Sequence, residues 1–225
     1  MSAFPPLPLG QRIPASPHAV SCSLPTMRSV RGYEEKDPET MRQLTSGYPR
    51  FVVHPFTRQL VAHFTTTLPA LAGRTLWLTS SAAMADALAA HLGADAQPFA
   101  SGGLTGASHP TASERYTRAK TFLQNIGGFL SSREAEDHLV HLGLLAAPYA
   151  EVTYPGDAGA EVRRVLRRAL PETTDADLLL APSGMNAIHA AFRASAALQA
   201  ERGRTVWLQL GWLYLDTIAI LKKFT

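Results

Sequence analysis

The sequence predicts an α/β protein with a parallel or mixed sheet, and three observations lead to that prediction. Short apolar segments alternate with stretches of helical periodicity, as in α/β domains. Near the carboxyl end the order strand, glycine turn, helix, strand indicates a βαβ unit. The 225 residues are 46% hydrophobic and 17% charged, which suits one or two globular domains with a buried core.

The first part of the chain predicts an extended arm. Residues 1–55 are rich in Pro, Gly and Ser and contain only short apolar pieces. One short helix is predicted to begin at Asp37, because Pro38 would occupy its first helical position. The arm continues through Tyr48-Pro-Arg50 to the first long helix.

The middle of the chain shows local signals for helices and one strand. An Ala-rich helix is expected between Ser81 and Gly93, which would end it. The remaining predictions are a helix over residues 56–64, a strand over 74–79, a Gly/Ser/Pro-rich loop over 94–112, and helix over 112–145 with an interruption at Gly127-Gly128.

The last fifty residues hold the predicted βαβ unit. Residues 177–181 form its first strand, Ser183-Gly184-Met185 a tight turn into a helix closed by Gly203, and residues 205–210 its second strand. A helix that begins in such a turn presents free backbone amides and the positive end of its dipole, which suits a phosphate. Neither a Walker sequence nor Gly-x-Gly-x-x-Gly follows this strand, so nucleotide binding is not favoured.

Composition and charge argue against several classes of protein function. The net charge of +3 gives no footprint for nucleic acid, and the Arg163–Arg168 cluster is interpreted as a solvated helix face. The single Cys22 excludes an intramolecular disulfide framework and a Cys-rich zinc site, and the eight histidines show no metal-ligand pattern. Without a membrane-length apolar run or a basic amino-terminal leader, the sequence predicts a cytoplasmic protein with no membrane partner.

Several motifs together resemble one enzyme family. They are Pro182-Ser-Gly-Met-Asn-Ala-Ile-His-Ala-Ala-Phe-Arg193, Leu210-Gly-Trp-Leu-Tyr-Leu-Asp-Thr217, His18-Ala-Val-Ser-Cys-Ser-Leu-Pro-Thr26, Gly32-Tyr-Glu-Glu35 and Gly47-Tyr-Pro-Arg-Phe-Val-Val-His-Pro55. They resemble the pyridoxal-phosphate-dependent enzymes of Cys/Met metabolism, above all the amino-terminal part of cystathionine gamma-synthases of the long fungal and bacterial type. The resemblance covers about residues 10–60 and 176–223 and leaves a divergent middle.

The resemblance implies a fold and a domain plan. The fold is the large domain of fold type I, the aspartate-aminotransferase-like architecture, here truncated and preceded by the extended arm. Residues 1–55 would be that arm, residues 56–175 an inserted α/β segment, and residues 176–225 the start of the cofactor-binding domain.

The resemblance also implies a set of cofactor-binding residues. The Ser-Gly-Met turn would offer the backbone amides of Gly184 and Met185 to the cofactor phosphate. A Tyr-x-Arg arm, matching Tyr48 and Arg50, would reach the phosphate of the neighbouring subunit, where a guanidinium can bind two oxygens. The complete implied set is Tyr48, Arg50, Ser183, Gly184, Met185, Tyr214, which would stack on the pyridine ring, and Thr217.

The implied activity is a γ-replacement in trans-sulfuration and methionine biosynthesis. With pyridoxal 5'-phosphate as electron sink, an activated homoserine ester would lose its ester group from Cγ, and cysteine sulfur would add to give cystathionine. The intact enzyme would be a homodimer or tetramer. None of the four lysines, Lys36, Lys120, Lys222 and Lys223, occupies the Ser-x-Thr-Lys position of the Schiff-base lysine, so the chain alone is expected to be an inactive amino-terminal fragment.

Two alternatives remain open from sequence. The chain could derive from a γ-lyase, a β-lyase or a sulfhydrylase of the same family. It could also be a non-catalytic binding or dimerising module that keeps the phosphate cradle, a reading that the absent lysine supports.

Overall fold

The computed structural model describes residues 6–44 and 53–223, which fall into two compact units. Unit 1 contains the described residues up to Ala119 together with Phe129–Tyr149. Unit 2 contains Lys120–Gly128 and the described residues from Ala150 onward. Each unit has its own apolar cluster, so each is described separately.

The arm of unit 1 is more structured than the sequence predicts. Two short strands, β1 (Arg12–Ile13) and β2 (Ser21–Cys22), pair antiparallel, and helix α1 (Met27–Glu34) follows with Thr26 as its N-cap. The predicted short helix is confirmed as α2 (Pro38–Gln43), whose N-cap Asp37 accepts a hydrogen bond from the Thr40 amide. The arm is therefore a folded element, with helix α1 missing from the prediction.

The main sheet of unit 1 has three antiparallel strands. The helix predicted at residue 56 is observed as α3 (Pro55–Thr67), and the predicted strand as β3 (Arg74–Thr79). Helix α4 (Ala82–Leu92) begins after its N-cap Ser81 and ends at Gly93, as the sequence predicts. Strands β4 (Gln97–Ser101) and β5 (Leu104–Pro110) complete a sheet of order β3-β5-β4.

The prediction of a loop over residues 94–112 is wrong, because this stretch forms the β4–β5 hairpin. Its turn is the pair Gly102-Gly103, and both residues have positive φ (57° and 85°), the combination that a tight hairpin turn requires. Ser101 and Leu104 pair across this turn. The sheet is therefore antiparallel where the sequence predicts a parallel or mixed one.

The core of unit 1 lies between the sheet and helices α3 and α6. The predicted helical stretch after residue 112 is confirmed as α5 (Ser113–Ile126) and α6 (Ser132–His141), separated at Gly127-Gly128. Side chains from β3, α3 and α6 form one buried cluster, which includes Leu60, Leu78 and Leu139. This packing gives unit 1 a core of its own.

Unit 2 is built mainly from three helices. They are α7 (Ala158–Ala169), α8 (Gly184–Ala200) and α9 (Leu215–Lys223). Helix α7 carries the arginine cluster and buries none of its side chains, which agrees with a solvated face. Met185 and Phe192 of α8 pack with Ile220 of α9 in a small buried cluster.

The two strands predicted around α8 are not formed. Residues 178–182 and 204–210 follow extended or irregular paths, and residues 175–177 form a 3-10 turn. Leu179 and Leu210 are each 90% exposed. The described residues supply no neighbouring strand for either segment, and strands of a parallel sheet are stable only when other strands pair with them. The helix of the predicted βαβ unit is therefore confirmed, whereas its two strands are wrong.

Within the described residues, no helix is both long and apolar enough to cross a bilayer.

Candidate functional site

The amino end of α8 begins at the Ser-Gly-Met turn, where the sequence predicts free backbone amides. Ser183 is the N-cap, with extended backbone, and its hydroxyl accepts a hydrogen bond from the Asn186 amide at 3.2 Å. The Ser183 carbonyl accepts from the Ala187 amide at 3.0 Å. The amides of Gly184 and Met185 have no intrahelical acceptor at these positions. Two N–H donors and the positive end of a 17-residue helix therefore meet at one point.

Gly184 leaves space in front of these amides. Its backbone is exposed, and a Cβ placed on it would meet nothing within 4 Å. Met185 points the other way, into the cluster with Phe192 and Ile220. The turn therefore exposes its backbone on one side and is anchored by an apolar side chain on the other.

Gly127 packs closely against Ser183, the N-cap residue of α8. It has a φ of 67°, and a Cβ at this position would overlap Ser183 Oγ and approach the Asn186 nitrogen to 3.0 Å. The Asn186 side-chain amide donates to the Ile126 carbonyl at 3.4 Å. Backbone contact with residues 126–127 thus orients the first turn of α8. The sequence predicts only a helix interruption at Gly127 and gives no sign of this contact with the N-cap.

These residues fit the phosphate end of pyridoxal phosphate. A phosphate needs hydrogen-bond donors with positive potential and room for close approach to the backbone, and the Gly184 and Met185 amides provide both. Exposure of Gly184 leaves the approach from solvent open. Ser183, Gly184 and Met185 are therefore brought together in the arrangement that the resemblance implies, as candidates to hold the phosphate.

Tyr214 and Thr217 belong to the helix that packs on α8. Tyr214 directly precedes α9, and its carbonyl accepts from the Ile218 amide at 3.1 Å. Thr217 is half-buried and lies one turn before Ile220, which packs with Met185. The structure thus places both residues on or beside an element in contact with α8. Tyr48 and Arg50, the remaining two candidates, lie outside the described residues.

Trp207 joins the segment before α9 to α8. Its ring lies 4.9 Å from that of Phe192, centroid to centroid. This contact sits on the same face of α8 as Met185, because Phe192 and Met185 belong to one cluster. The segment 204–210 is therefore attached to the site helix although it pairs with no strand.

The titratable group nearest to the site along α8 is His189. It is buried, four residues after Met185, and burial followed by the charge of Arg193 lowers its pKa. The neutral imidazole is therefore favoured in the folded chain. Among the described residues, no group of three or more His, Cys, Asp or Glu side chains could hold a metal ion.

Comparison with known proteins gives relatives in one enzyme group. The L-2-amino-4-chloropent-4-enoate dechlorinase/desaturase of Streptantibioticus cattleyicolor is 39% identical over 214 residues, which cover 94% of this chain and 42% of that protein. The cystathionine gamma-synthase of Neurospora crassa is 40% identical over 65 residues, 28% of this chain and 10% of the enzyme. That of Saccharomyces cerevisiae is 43% identical over 53 residues, 23% and 8% respectively.

The aligned part of this chain spans less than half the length of each of these relatives. No family model matches the chain, and no solved structure does. The relatives nevertheless agree with the motifs that suggested the resemblance, which is confirmed. This chain is a relative of the cystathionine gamma-synthase group of pyridoxal-phosphate-dependent enzymes.

Proposed function

We propose that this chain holds the phosphate end of pyridoxal phosphate in a reaction that removes a leaving group from Cγ of an α-amino acid. The observation that carries the proposal is the open amino end of α8, where Gly184 and Met185 offer their amides. The relatedness to enzymes of amino-acid metabolism supplies the identity of the anion.

The relatives' names share one chemical feature. The S. cattleyicolor protein is named as a dechlorinase of a 2-amino acid with chlorine on carbon 4, which is Cγ. In γ-replacement by cystathionine gamma-synthase the departing ester also leaves from Cγ. The leaving-group position is thus common to both, whereas the fate of the carbon skeleton differs. The proposed reaction class is therefore departure of a group from Cγ, with γ-replacement of a homoserine ester by cysteine as its specific form.

Each residue of the site has a physical task in this proposal. The Gly184 and Met185 amides bind phosphate oxygens, and the Ser183 hydroxyl keeps the first turn in place through the Asn186 amide. Tyr214 is assigned to stacking against the pyridine ring, and Thr217 is placed on the same side of the site. Tyr48 and Arg50 are assigned to binding the cofactor phosphate of a neighbouring subunit. When bound, the cofactor supplies an electron sink for bond breaking next to the amino group.

We also propose that the chain has the three-part domain organisation that the resemblance implies. Residues 1–55 are the arm, residues 56–175 an inserted segment, and residues 176–225 the beginning of a fold-type-I cofactor domain. The apolar segments 178–182 and 204–210 support this plan, because their composition suits strands buried on both faces of a parallel sheet.

A second candidate is a binding module without turnover. The four lysines favour it, since none stands in a Ser-x-Thr-Lys setting. We therefore expect the chain alone to bind the cofactor reversibly and to release no leaving group from amino acids substituted at Cγ. Turnover by the chain alone would contradict this expectation, and would require one of Lys36, Lys120, Lys222 or Lys223 to act as the base.

A pair of variants at Gly184 tests the phosphate site. Because a Cβ at this position meets no neighbouring atom within 4 Å, Gly184→Asp and Gly184→Asn differ from each other mainly by one charge. An Asp at this helix end is compatible with the dipole, so folding is preserved. We expect Gly184→Asp to weaken binding of pyridoxal phosphate about tenfold, measured by equilibrium dialysis, and Gly184→Asn to change it less than about threefold.

Pyridoxal without its phosphate is the matched ligand control. Its binding should be weak and equal in the three proteins, since only the phosphate meets the α8 amides. Equal affinity of the wild type for pyridoxal and pyridoxal phosphate would refute the proposed site. So would a Gly184→Asp protein with unchanged affinity for the phosphorylated ligand.

A further inference from the structure

We propose that the apolar side of α7 is a docking surface for a bilayer of anionic phospholipid, in whose surface the helix lies flat. The inference concerns α7 and the residues beside it, all within unit 2. It is independent of the proposed cofactor site. The expectation of no membrane partner rests on the lack of a membrane-length apolar run, which a helix lying in the surface of a bilayer does not need.

The apolar side chains of α7 form one strip that the described residues leave uncovered. Val162, Val165 and Leu166 are three and four residues apart, so they share one side of the helix. Their exposed fractions are 45%, 47% and 38%. Ala158 and Ala169 extend the strip to both ends of the helix. An amphipathic helix normally buries such a strip, so this one is open to a partner.

Arginine side chains border the strip on both sides. Arg163 lies one turn from Leu166, and Arg168 lies one turn from Val165 on the opposite side. Arg163 donates to the Leu178 carbonyl at 3.2 Å. Within the described part of the chain, no carboxylate lies at ion-pair distance from either of these two arginines. Both guanidinium groups can therefore bind an anion at the border of the strip.

The acidic side chains around α7 are held by its other two arginines or by its amino end. Glu161 accepts hydrogen bonds from Arg164 through both carboxylate oxygens, and Asp175 accepts from Arg167 at 3.2 Å. Arg164 and Arg167 lie on the side of the helix away from the strip. Asp157 is the N-cap. The positive charge that carboxylates leave unpaired therefore lies beside the strip.

This arrangement fits an anionic bilayer better than a second copy of the chain. A bilayer surface offers acyl chains beneath the strip and phosphate groups on both sides of it, and a guanidinium can bind two phosphate oxygens. The helix carries four arginines and one glutamate, so two copies packed strip to strip would bring like charges together. The charge of α7 therefore favours a negatively charged partner.

Flotation of the full chain with lipid vesicles in a density gradient tests the proposal, because aggregated protein sinks whereas vesicles rise. Vesicles of phosphatidylcholine with about one third phosphatidylglycerol are compared with phosphatidylcholine alone. We expect about tenfold stronger binding to the anionic vesicles at about 50 mM salt, and loss of most of this difference at about 0.5 M salt, which screens the charges. Equal binding to both lipids, or binding to neither, would overturn the proposal.

A pair of variants tests whether the strip makes the contact. Val165→Glu places a charge in the strip, at a side chain exposed enough for the fold to tolerate it. We expect this variant to bind the anionic vesicles about tenfold more weakly than the wild type. Leu208→Glu adds the same charge to another exposed apolar side chain of unit 2 and should weaken binding less than about threefold. The reverse order of effects would place the lipid contact in segment 204–210 and overturn the proposal.

A second pair of variants tests the border charges. Arg168→Gln should weaken binding to the anionic vesicles about threefold to fivefold and leave binding to phosphatidylcholine unchanged. Arg202→Gln makes the same change at an exposed residue just after α8 and should behave like the wild type. Both side chains are exposed, so folding should be preserved, which circular dichroism checks. Equal effects of the two variants would show attraction to net charge alone and would refute docking through α7.

Discussion

The two units differ in how far their apolar side chains are buried. In unit 1, Leu60 and Leu78 are 0% and 2% exposed and lie within one cluster between sheet and helices. In unit 2, Leu208 and Leu210 are 83% and 90% exposed, although their segment is as apolar as β3. Composition therefore does not distinguish the two regions.

The difference lies in where each strand finds its neighbours. Strand β4 is joined to β5 by a two-residue turn, and 24 residues separate the end of β3 from the start of β5, so the whole sheet assembles from nearby parts of the chain. The composition of segments 178–182 and 204–210 suits parallel strands, which cannot pair through a short turn and need several neighbours, and neither segment forms a strand. Local pairing makes unit 1 self-sufficient, whereas unit 2 depends on strands that its described residues do not supply.

The largest effect is expected from shortening a buried leucine. Leu60→Ala removes a fully buried side chain from the unit 1 cluster, and we expect it to lower the free energy of unfolding of this unit by about 2–5 kcal/mol. Leu208→Ala, the matched change in unit 2, should alter stability by less than about 0.5 kcal/mol because the side chain is exposed.

Urea unfolding followed by hydrogen exchange in each unit measures these effects separately. Equal losses in the two variants would show that Leu208 is buried in solution. The two units would then not differ in the burial of their apolar side chains.

A smaller effect is expected at the glycine beneath the candidate site. Gly127→Ala places a Cβ that overlaps Ser183 Oγ, and its φ of 67° also disfavours alanine. The control is Gly203→Ala, which has a φ of 69° and open space around its Cβ. The control should cost about 1 kcal/mol of unit 2 stability, and Gly127→Ala about 1–3 kcal/mol more.

Binding distinguishes these two variants further. Gly127→Ala should also weaken the binding of pyridoxal phosphate, because the first turn of α8 must shift to make room for the added Cβ. If both alanines cost the same and bind equally well, residue 127 does not support the site.

The smallest effect compares two helix caps. Ser81 caps α4 in unit 1 and Ser183 caps α8 in unit 2, each accepting from the third following amide at 3.2 Å. Replacement of either by alanine should cost about 1 kcal/mol in its own unit. Only Ser183→Ala should reduce affinity for pyridoxal phosphate, measured by equilibrium dialysis beside Ser81→Ala. A loss of affinity in both would place the effect in general stability and not at the phosphate.

Elements with local signals are predicted well from the sequence. Helix α4 has an N-cap serine, an Ala-rich body and a terminal glycine within 13 residues, so short-range preferences decide it. The same holds for α2, with Asp37 and Pro38 at its start. The helix after the Ser-Gly-Met turn is predicted for the same reason.

Elements decided by distant pairing are predicted poorly. The β4–β5 strands contain glycine, serine and proline, which suggest a loop, although the adjacent glycines of the turn could have indicated a hairpin. The strands expected around α8 fail for the opposite reason, because their apolar composition is right and their pairing is not local. Strand propensity alone does not decide whether a strand forms.

In the candidate site, too, features set by neighbouring residues are predictable and features set by distant contacts are not. Ser183, Gly184 and Met185 are contiguous, so their juxtaposition is visible in the sequence. Gly127 lies 56 residues before Ser183, so its contact with the N-cap could not be found without the structure. The roles of all the candidate residues stay predictions: Tyr48, Arg50, Ser183, Gly184, Met185, Tyr214 and Thr217.

The exposed segment of residues 205–210 has a consequence for the chain at high concentration. Its six residues, Thr-Val-Trp-Leu-Gln-Leu, are uncharged, contain no proline and favour extended backbone. Such a segment can pair edge to edge with the identical segment of another molecule. Within the chain, Trp207 of this segment is in ring contact with Phe192 of α8. Because the same composition suits an internal strand, we expect intermolecular β-pairing of the chain to begin at this stretch.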